Sequence, residues 1–130
     1  MTARLCTVLL TVACLLALPL PAAAQATTDN APYVTGGVGE EELAVLKLVR
    51  GDFNLHLLFA DKAGTYLSGV DIDIIDASGT TRLALRDAGP FLFVRLPAGS
   101  YRLEARYEGQ PQQQRLDLRT SGGRDVVFRW

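Results

Sequence analysis

The chain has 130 residues, of which 48% are hydrophobic and 21% charged, and its 13 basic residues nearly balance its 14 acidic ones. This length suits one domain, and a sequence without a basic cluster argues against a nucleic-acid-binding protein. Both cysteines, Cys6 and Cys14, lie close to the N-terminus. The rest of the chain therefore cannot form a disulfide within itself, and its stability has to come from a packed core.

The N-terminal segment predicts a secretory signal peptide over residues 1–24. Arg4 supplies a positive charge, residues 5–18 form an almost continuous apolar run, and small alanines follow. This order of charge, apolar run and small residues is typical of signal peptides. The run is also shorter than the roughly 20 residues of a membrane-spanning helix. Cleavage after Ala24 or after Ala26 fits the small-residue rule, and Ala24 is slightly preferred.

A lipoprotein signal is the less favoured alternative, with Cys14 as the lipidated residue. Such signals usually carry leucine three positions before the cysteine, where this chain has Thr11, and the apolar run continues past Cys14 to Leu18. No second apolar stretch long enough for a membrane helix occurs later in the sequence. We therefore expect an exported, periplasmic protein whose mature chain does not span the membrane.

Residues 25–39 are predicted to form an extended lead-in to the domain. The segment contains turn-forming residues up to Pro32, and its later half has glycines at positions 36, 37 and 39, next to Tyr33 and Val34. Glycines make the backbone permissive. The segment lacks the lysine of a phosphate-binding loop, so we interpret it as a hinge or a close packing point.

Residues 40–51 predict the single helix. The glutamates at 40–42 suit the positive end of the helix dipole, Lys47 and Arg50 suit the other end, and Gly51 fits the left-handed position after the last turn. One apolar face needs a partner surface, and it consists of Leu43, Leu46 and Val49, with Val45 and Leu48 beside them. The glutamates could instead present an acidic patch to a partner, but helix electrostatics is the preferred explanation.

Beyond Gly51 apolar and polar residues alternate, which predicts about seven short β-strands. The clearest is residues 101–107, where Tyr101, Leu103 and Ala105 alternate with charged side chains. The other candidate strands cover residues 53–59, 70–74, 80–85, 91–96, 115–119 and 126–130. The run 91–96 is apolar on both faces except for Arg95, which favours a central position. Short strands separated by turn signals predict a seven-stranded antiparallel β-sandwich over residues 52–130.

One segment, Leu96-Pro97-Ala98-Gly99-Ser100-Tyr101-Arg102-Leu103-Glu104-Ala105, resembles the Leu-Pro-x-Gly-x-Tyr-x-Leu-x-Ala signature of carboxypeptidase regulatory-like domains. The upstream strand and acidic-glycine turn, residues 70–79, are similar to the same family. The resemblance covers residues 53–130. It implies a transthyretin-like (prealbumin-like) or immunoglobulin-like sandwich with an accessory, binding or spacer role. The lead-in and helix also resemble a feature of small exported proteobacterial proteins of this type.

The resemblance does not extend to transthyretin-like enzymes that hydrolyse 5-hydroxyisourate. Those enzymes need several histidines and a Tyr-Arg-Gly-Ser C-terminus, whereas this chain has one histidine and ends Val126-Val127-Phe128-Arg129-Trp130. That activity is therefore not expected here.

The one histidine, His56, is predicted to lie on a strand face opposite Phe53, Leu55 and Leu57, at the surface or a sheet edge. A zinc site of the usual kind cannot be assembled around one histidine in a mature chain without cysteine. A small hydrolase would need His56 near a serine and an acid, and no nucleophile-elbow motif surrounds any of the candidate serines, which are Ser68, Ser78, Ser100 and Ser121. No catalytic residue is therefore assigned.

Two further groups of residues could bind a ligand. Asp71, Asp73 and Asp76 could bind calcium, but an extended strand spreads carboxylates that a calcium site brings together, so a solvated face is the preferred interpretation. Tyr33, Tyr66 and Trp130 could stack on a sugar or a peptide, although Trp130 is expected to close the core beside Phe128.

The sequence favours a non-enzymatic exported accessory or protein-binding module of the cell envelope, without a metal or cofactor. A carbohydrate- or envelope-polymer-binding domain is the alternative, and it predicts exposed aromatic side chains clustered near Tyr33 and Tyr66. The small hydrolase is the least favoured. We expect an envelope protein or polymer as partner, no nucleic acid, and a monomer or a weak homodimer formed through edge strands.

Overall fold

The computed structural model describes residues 30–119 and 121–130. The predicted signal peptide, with Cys14 and both candidate cleavage positions, lies outside these residues. The described elements in chain order are β1 (Tyr33–Gly36), α1 (Glu40–Val49), a 3-10 turn (Arg50–Asp52), β2 (Leu55–Ala60), β3 (Val70–Asp76), β4 (Thr81–Ala88), β5 (Phe91–Val94), β6 (Gly99–Tyr107), β7 (Gln110–Leu118) and β8 (Arg124–Arg129). In this part of the chain no helix combines the length and the apolar character needed to cross a membrane.

The strands form two four-stranded sheets, which confirms that the described part of the chain is mainly β with one α-helix. Sheet A has the order β1-β5-β2-β8, and sheet B has the order β4-β3-β6-β7. The expected count of seven is wrong because β1 lies inside the predicted lead-in and pairs with β5 from Tyr33↔Val94 to Gly36↔Phe91. The expectation of antiparallel strands is also wrong for one pair. After β7 in sheet B the chain crosses to sheet A, where β8 runs parallel to β2.

Alternating side chains of both sheets meet in a single buried cluster. In sheet A, β2 contributes Leu55, Leu57 and Phe59, and in sheet B, β3 and β6 contribute every second residue, such as Ile72 and Leu103. The strict alternation expected for residues 101–107 is therefore confirmed. The β5 strand also lies between two neighbours, as its apolar sequence predicted. We call the face of each sheet that is turned away from this cluster its outer face.

The Leu96–Ala105 segment has a clear local role. Tyr101 begins the alternating part of β6 with its ring buried, and its hydroxyl donates to the Pro97 carbonyl at 2.6 Å. Burial also raises the pKa of the Tyr101 hydroxyl. The tyrosine thus ties the β5–β6 connection to the strand that follows it.

The helix packs on the outer face of sheet A. Leu46 is buried and Leu43 and Val49 are half-buried, as expected, but Val45 and Leu48 face solvent. The predicted left-handed Gly51 is wrong: the chain continues into the 3-10 turn, and Gly51 has no positive φ. The 3-10 turn ends at Asp52, and Phe53 takes the extended conformation that leads into β2.

The glycine segment before the helix is a close packing point. Gly37 is buried with φ +100°, and a Cβ placed on it would lie 2.4 Å from the Phe91 ring. The backbone N–H groups of Gly37 and Val38 donate to Glu42 at 2.9 and 3.2 Å. Glu42 therefore fixes the entry to the helix, which agrees with an electrostatic role for at least this glutamate.

Hydrogen bonds connect sheet A to sheet B along one side, and the lead-in bonds to sheet B along the other. The amides of Gln112 and Gln114 on β7 donate to the carbonyls of Arg129 and Val127 on β8, the second at 3.0 Å. On the other side, Ala31 donates to the Arg82 carbonyl of β4 at 2.8 Å. The edge strands β8 and β4 are thus partly covered.

Candidate functional site

His56 lies at the centre of sheet A, on its outer face. It is 8% exposed, and its strand β2 runs between β5 and β8. Its Nδ1 is 2.9 Å from Asp125 Oδ1, and its Nε2 is 3.0 Å from the Arg50 carbonyl oxygen. The prediction of a surface or edge histidine is therefore wrong, because the 3-10 turn and β8 cover the ring.

Both hydrogen-bond partners of His56 are acceptors. An ionised carboxylate and a backbone carbonyl carry no proton, so the doubly protonated ring satisfies both contacts and a neutral ring satisfies one. The Arg50 guanidinium lies 2.6 Å from the same Asp125 oxygen, and the Phe93 ring meets the imidazole edge-on with centroids 4.9 Å apart. These contacts fix the ring between three elements.

The arrangement around His56 is not a serine–histidine–acid triad. The two ring nitrogens are directed at Asp125 and Arg50, not at a hydroxyl. The hydroxyls of Ser78 and Ser100 donate to Asp76 and Asp117. Within the described ranges, the histidine therefore holds structure together and has no nucleophile in contact with it.

Phe53 lies on the same side of the sheet as His56, contrary to expectation. The centroid of its ring is 6.4 Å from that of Phe93, the ring that also contacts His56. Phe53 belongs to the connection between the 3-10 turn and β2, so the twofold alternation that starts at Leu55 does not extend back to it.

A cleft of about 690 Å³ opens beside His56 at the C-terminal end of the helix, and three cations, Lys47, Arg50 and Arg95, line it. The Arg50 guanidinium lies over the Phe93 ring and the Arg95 guanidinium over the Phe53 ring, each 5.7 Å from the ring centroid. Arg95 Nε also donates to the Asp52 carbonyl at 2.7 Å. Lys47 and Arg50 are near neighbours at the end of the helix, but no sequence pattern joins them to Arg95, which follows β5.

A second depression, of about 340 Å³, separates α1 from β1. We call it the α1–β1 groove, and it is lined by Val34, Thr35, Gly36, Glu41, Glu42, Val45 and Leu46. Its helix side continues into apolar side chains that face solvent: Val45 is 56% exposed, Leu48 84%, and Val38, just before the helix, 75%. The sequence had assigned Val45 and Leu48 to the buried side of the helix.

The strand side of the groove is a sheet edge. The backbone N–H of Arg95 donates to the Pro32 carbonyl. In this antiparallel register Val34 and Gly36 therefore direct their backbone N–H and C=O groups to β5. Tyr33 and Thr35 then direct their N–H and C=O groups away from the sheet. Within residues 30–119 and 121–130, no other strand pairs with this edge of β1.

The three aspartates of the calcium hypothesis have separate partners. Asp71 accepts from the Asp87 backbone, and Asp73 lies 3.1 Å from Arg86 and 3.5 Å from Arg106. The Ser78 hydroxyl, helped by the Thr80 backbone N–H and Arg82, lowers the pKa of Asp76 from 3.8 to about 2. In the part of the chain that the structure describes, no group of three or more histidine, cysteine or acidic side chains is arranged to hold a metal.

The aromatic side chains do not form the cluster that a sugar-binding surface predicts. Tyr33 pairs with Val94 at one end of β5, whereas Tyr66 packs against Phe91 at the other end, with ring centroids 5.2 Å apart. Trp130 packs against Phe128, as expected, with centroids 6.0 Å apart.

No protein-family model and no curated protein matches this chain.

Proposed function

We propose that this protein is a non-enzymatic, exported accessory module that binds an extended segment of a partner protein in the α1–β1 groove. The observation that carries the proposal is the outward-facing edge of β1 beside the exposed apolar side chains of α1. An extended segment can add to such an edge as a further strand, and side-chain pockets next to the edge then select among partners.

The backbone of β1 offers two outward residues for this pairing. Tyr33 and Thr35 each present one donor and one acceptor, which an added strand would satisfy. The edges of β8 and β4 are less suited, because Gln112 and Gln114 donate to β8 carbonyls and Ala31 donates to a β4 carbonyl. Covered carbonyls are not available to a partner.

The helix side of the groove sets the chemistry of the partner. Val45 and Leu48 remain in water unless another chain covers them, and exposed apolar patches of this kind mark interaction surfaces. Glu41 lines the same groove and carries a negative charge. The expected partner segment therefore carries an apolar side chain facing Val45 and a lysine or arginine near Glu41.

We also propose that the two sheets pack as a sandwich of the transthyretin-like type, related to carboxypeptidase regulatory-like domains. The shared buried cluster and the tie between Tyr101 and Pro97 support this, since both are features of compact two-sheet domains. The predicted leader supports a periplasmic location. Together they suit a module that acts by contact in the envelope, although a fold by itself does not assign a function.

The test selects 12-residue peptides from a random display library against the purified mature chain. Peptides that bind the groove should slow hydrogen exchange of the Tyr33 and Thr35 amides, whose N–H groups face outward. The amide of Val34, already bonded to β5, serves as the internal reference.

Val45→Asp places a charge in the groove at an exposed position, and it should weaken the selected peptides at least about tenfold without unfolding the protein. Gln113→Asp, an exposed change on β7, is the matched control and should leave binding unchanged. Peptides that bind the Val45→Asp variant equally well, or that protect amides elsewhere, would refute the proposal.

A further inference from the structure

A second site lies at the opposite end of α1. We propose that the cleft lined by Lys47, Arg50 and Arg95 binds a small ligand with two or more oxyanion groups, either phosphate or carboxylate. This inference is independent of the α1–β1 groove, because the two sites share no lining residue.

The two arginines are held in place before any ligand arrives. Arg50 is fixed by Asp125 at 2.6 Å and lies over Phe93, and Arg95 is fixed by the Asp52 carbonyl at 2.7 Å and lies over Phe53. Each guanidinium has five N–H groups, so these contacts leave donors unused. A planar guanidinium that is already oriented loses little freedom on binding a carboxylate or phosphate.

The cleft presents more than one cation to a ligand. Arg50 lies over Phe93 and Arg95 lies over Phe53. The centroids of the two phenylalanine rings are 6.4 Å apart. The two guanidinium groups therefore lie over two neighbouring aromatic rings, as two separate cations. Lys47 adds a third cation from the last turn of the helix.

Three cations, Lys47, Arg50 and Arg95, stand against two nearby carboxylates, so the acidic groups cancel only part of the positive charge. Asp52 is the one carboxylate among the described residues that line the cleft. The second carboxylate is that of Asp125, whose Oδ1 is shared between Arg50 and His56. The cleft therefore keeps an excess of positive charge, which attracts anions through the low-dielectric wall formed by the phenylalanine rings.

His56 acts as a positioning residue in this site. It holds the Arg50 carbonyl with one ring nitrogen and Asp125 with the other, so it joins the 3-10 turn to β8 beneath the cleft. A Cβ added to Gly123 would lie 2.7 Å from the His56 ring, which shows how closely the β7–β8 connection passes over the imidazole. The floor of the cleft is thus held on two sides.

The experiment titrates the mature chain with pyrophosphate and, separately, with citrate at low ionic strength, using calorimetry and the NMR signals of the arginine side chains and of His56 Cε1–H. We expect saturable binding that weakens as salt rises, with the arginine Nε–H signals shifting first. The stronger of the two probes identifies the preferred oxyanion.

Arg95→Gln and Lys47→Gln should each weaken binding about tenfold, because each removes one of the separate charges. Arg106→Gln removes an exposed cation from the outer face of sheet B and should leave binding unchanged. Equal weakening by Arg106→Gln, or no saturable binding of either probe, would overturn the inference. Val45→Asp should bind both probes normally, which separates this test from that of the groove.

Discussion

The outer face of sheet A is covered by protein, whereas the outer face of sheet B is covered by water. On sheet A, the helix and the 3-10 turn bury Leu46, Phe93 and His56 in a second, smaller layer. On sheet B, the corresponding positions of β3 and β6 carry charged side chains such as Asp73 and Arg106, joined by exposed ion pairs. One protein thus contains a packed face and a solvated face on sheets of equal size.

The difference shows where the molecule tolerates change and where it does not. Packed layers respond to a single added methyl group or lost donor, because neighbouring atoms cannot move away and water cannot replace a missing partner. Exposed ion pairs contribute little, since water and salt screen them. We therefore expect both proposed binding sites, which border the covered face, to depend on a small number of structural residues.

The largest effect is expected from Gly37→Ala. The added Cβ would collide with Phe91 at 2.4 Å, and φ +100° disfavours any side chain, so unfolding in urea should show a loss of more than about 2 kcal/mol. Gly51→Ala is the control: Gly51 has no neighbour within 4 Å of its Cβ position and no positive φ. Its stability should change by less than about 0.5 kcal/mol. Equal stability of Gly37→Ala and the parent chain would contradict the packing described at β5.

A smaller loss is expected from His56→Ala, of about 1 to 3 kcal/mol by urea unfolding. The change removes both ring nitrogens, which contact the Arg50 carbonyl and Asp125. His56→Phe keeps the ring volume but supplies no N–H group, and it should lose a similar amount. Full recovery of stability in His56→Phe would mean that packing, not hydrogen bonding, accounts for the histidine.

The smallest effect is expected from Asp73→Asn on sheet B. Its contacts with Arg86 and Arg106 are exposed pairs, so thermal or urea unfolding should show a change within about 0.5 kcal/mol. The double variant with Arg86→Ala should show little further coupling. A loss as large as that of His56→Ala would break the contrast between the two faces.

The solvated face is also the one that the sequence predicts well. In β6 and β3, one side of the strand meets the core and the other meets water, so apolar and charged residues alternate visibly from Val70 to Ile74 and from Tyr101 to Ala105. The turn that contains Asp76, Ser78 and Thr80 can be predicted equally well, because its hydrogen bonds join residues close in sequence. Such patterns depend on neighbours in sequence.

The covered face could not be predicted in the same way. β1 has four residues and ends at Gly36, so it lacks the length in which alternation becomes visible. His56 is buried by Asp125, a residue far along the chain, and the cleft joins Lys47 and Arg50 to Arg95, which follows β5. The exposed side of α1 was also assigned wrongly, because five apolar residues within seven positions do not reveal which of them contact the sheet. Each of these features depends on contacts between residues that are far apart in the sequence.

The glutamines of β7 have a consequence for self-association. By occupying two carbonyl oxygens of β8, Gln112 and Gln114 remove acceptors that another copy could use to continue sheet A in that direction. Growth of sheet A by strand addition is therefore less favourable at β8 than at β1, whose outward edge is paired with no strand among the described residues.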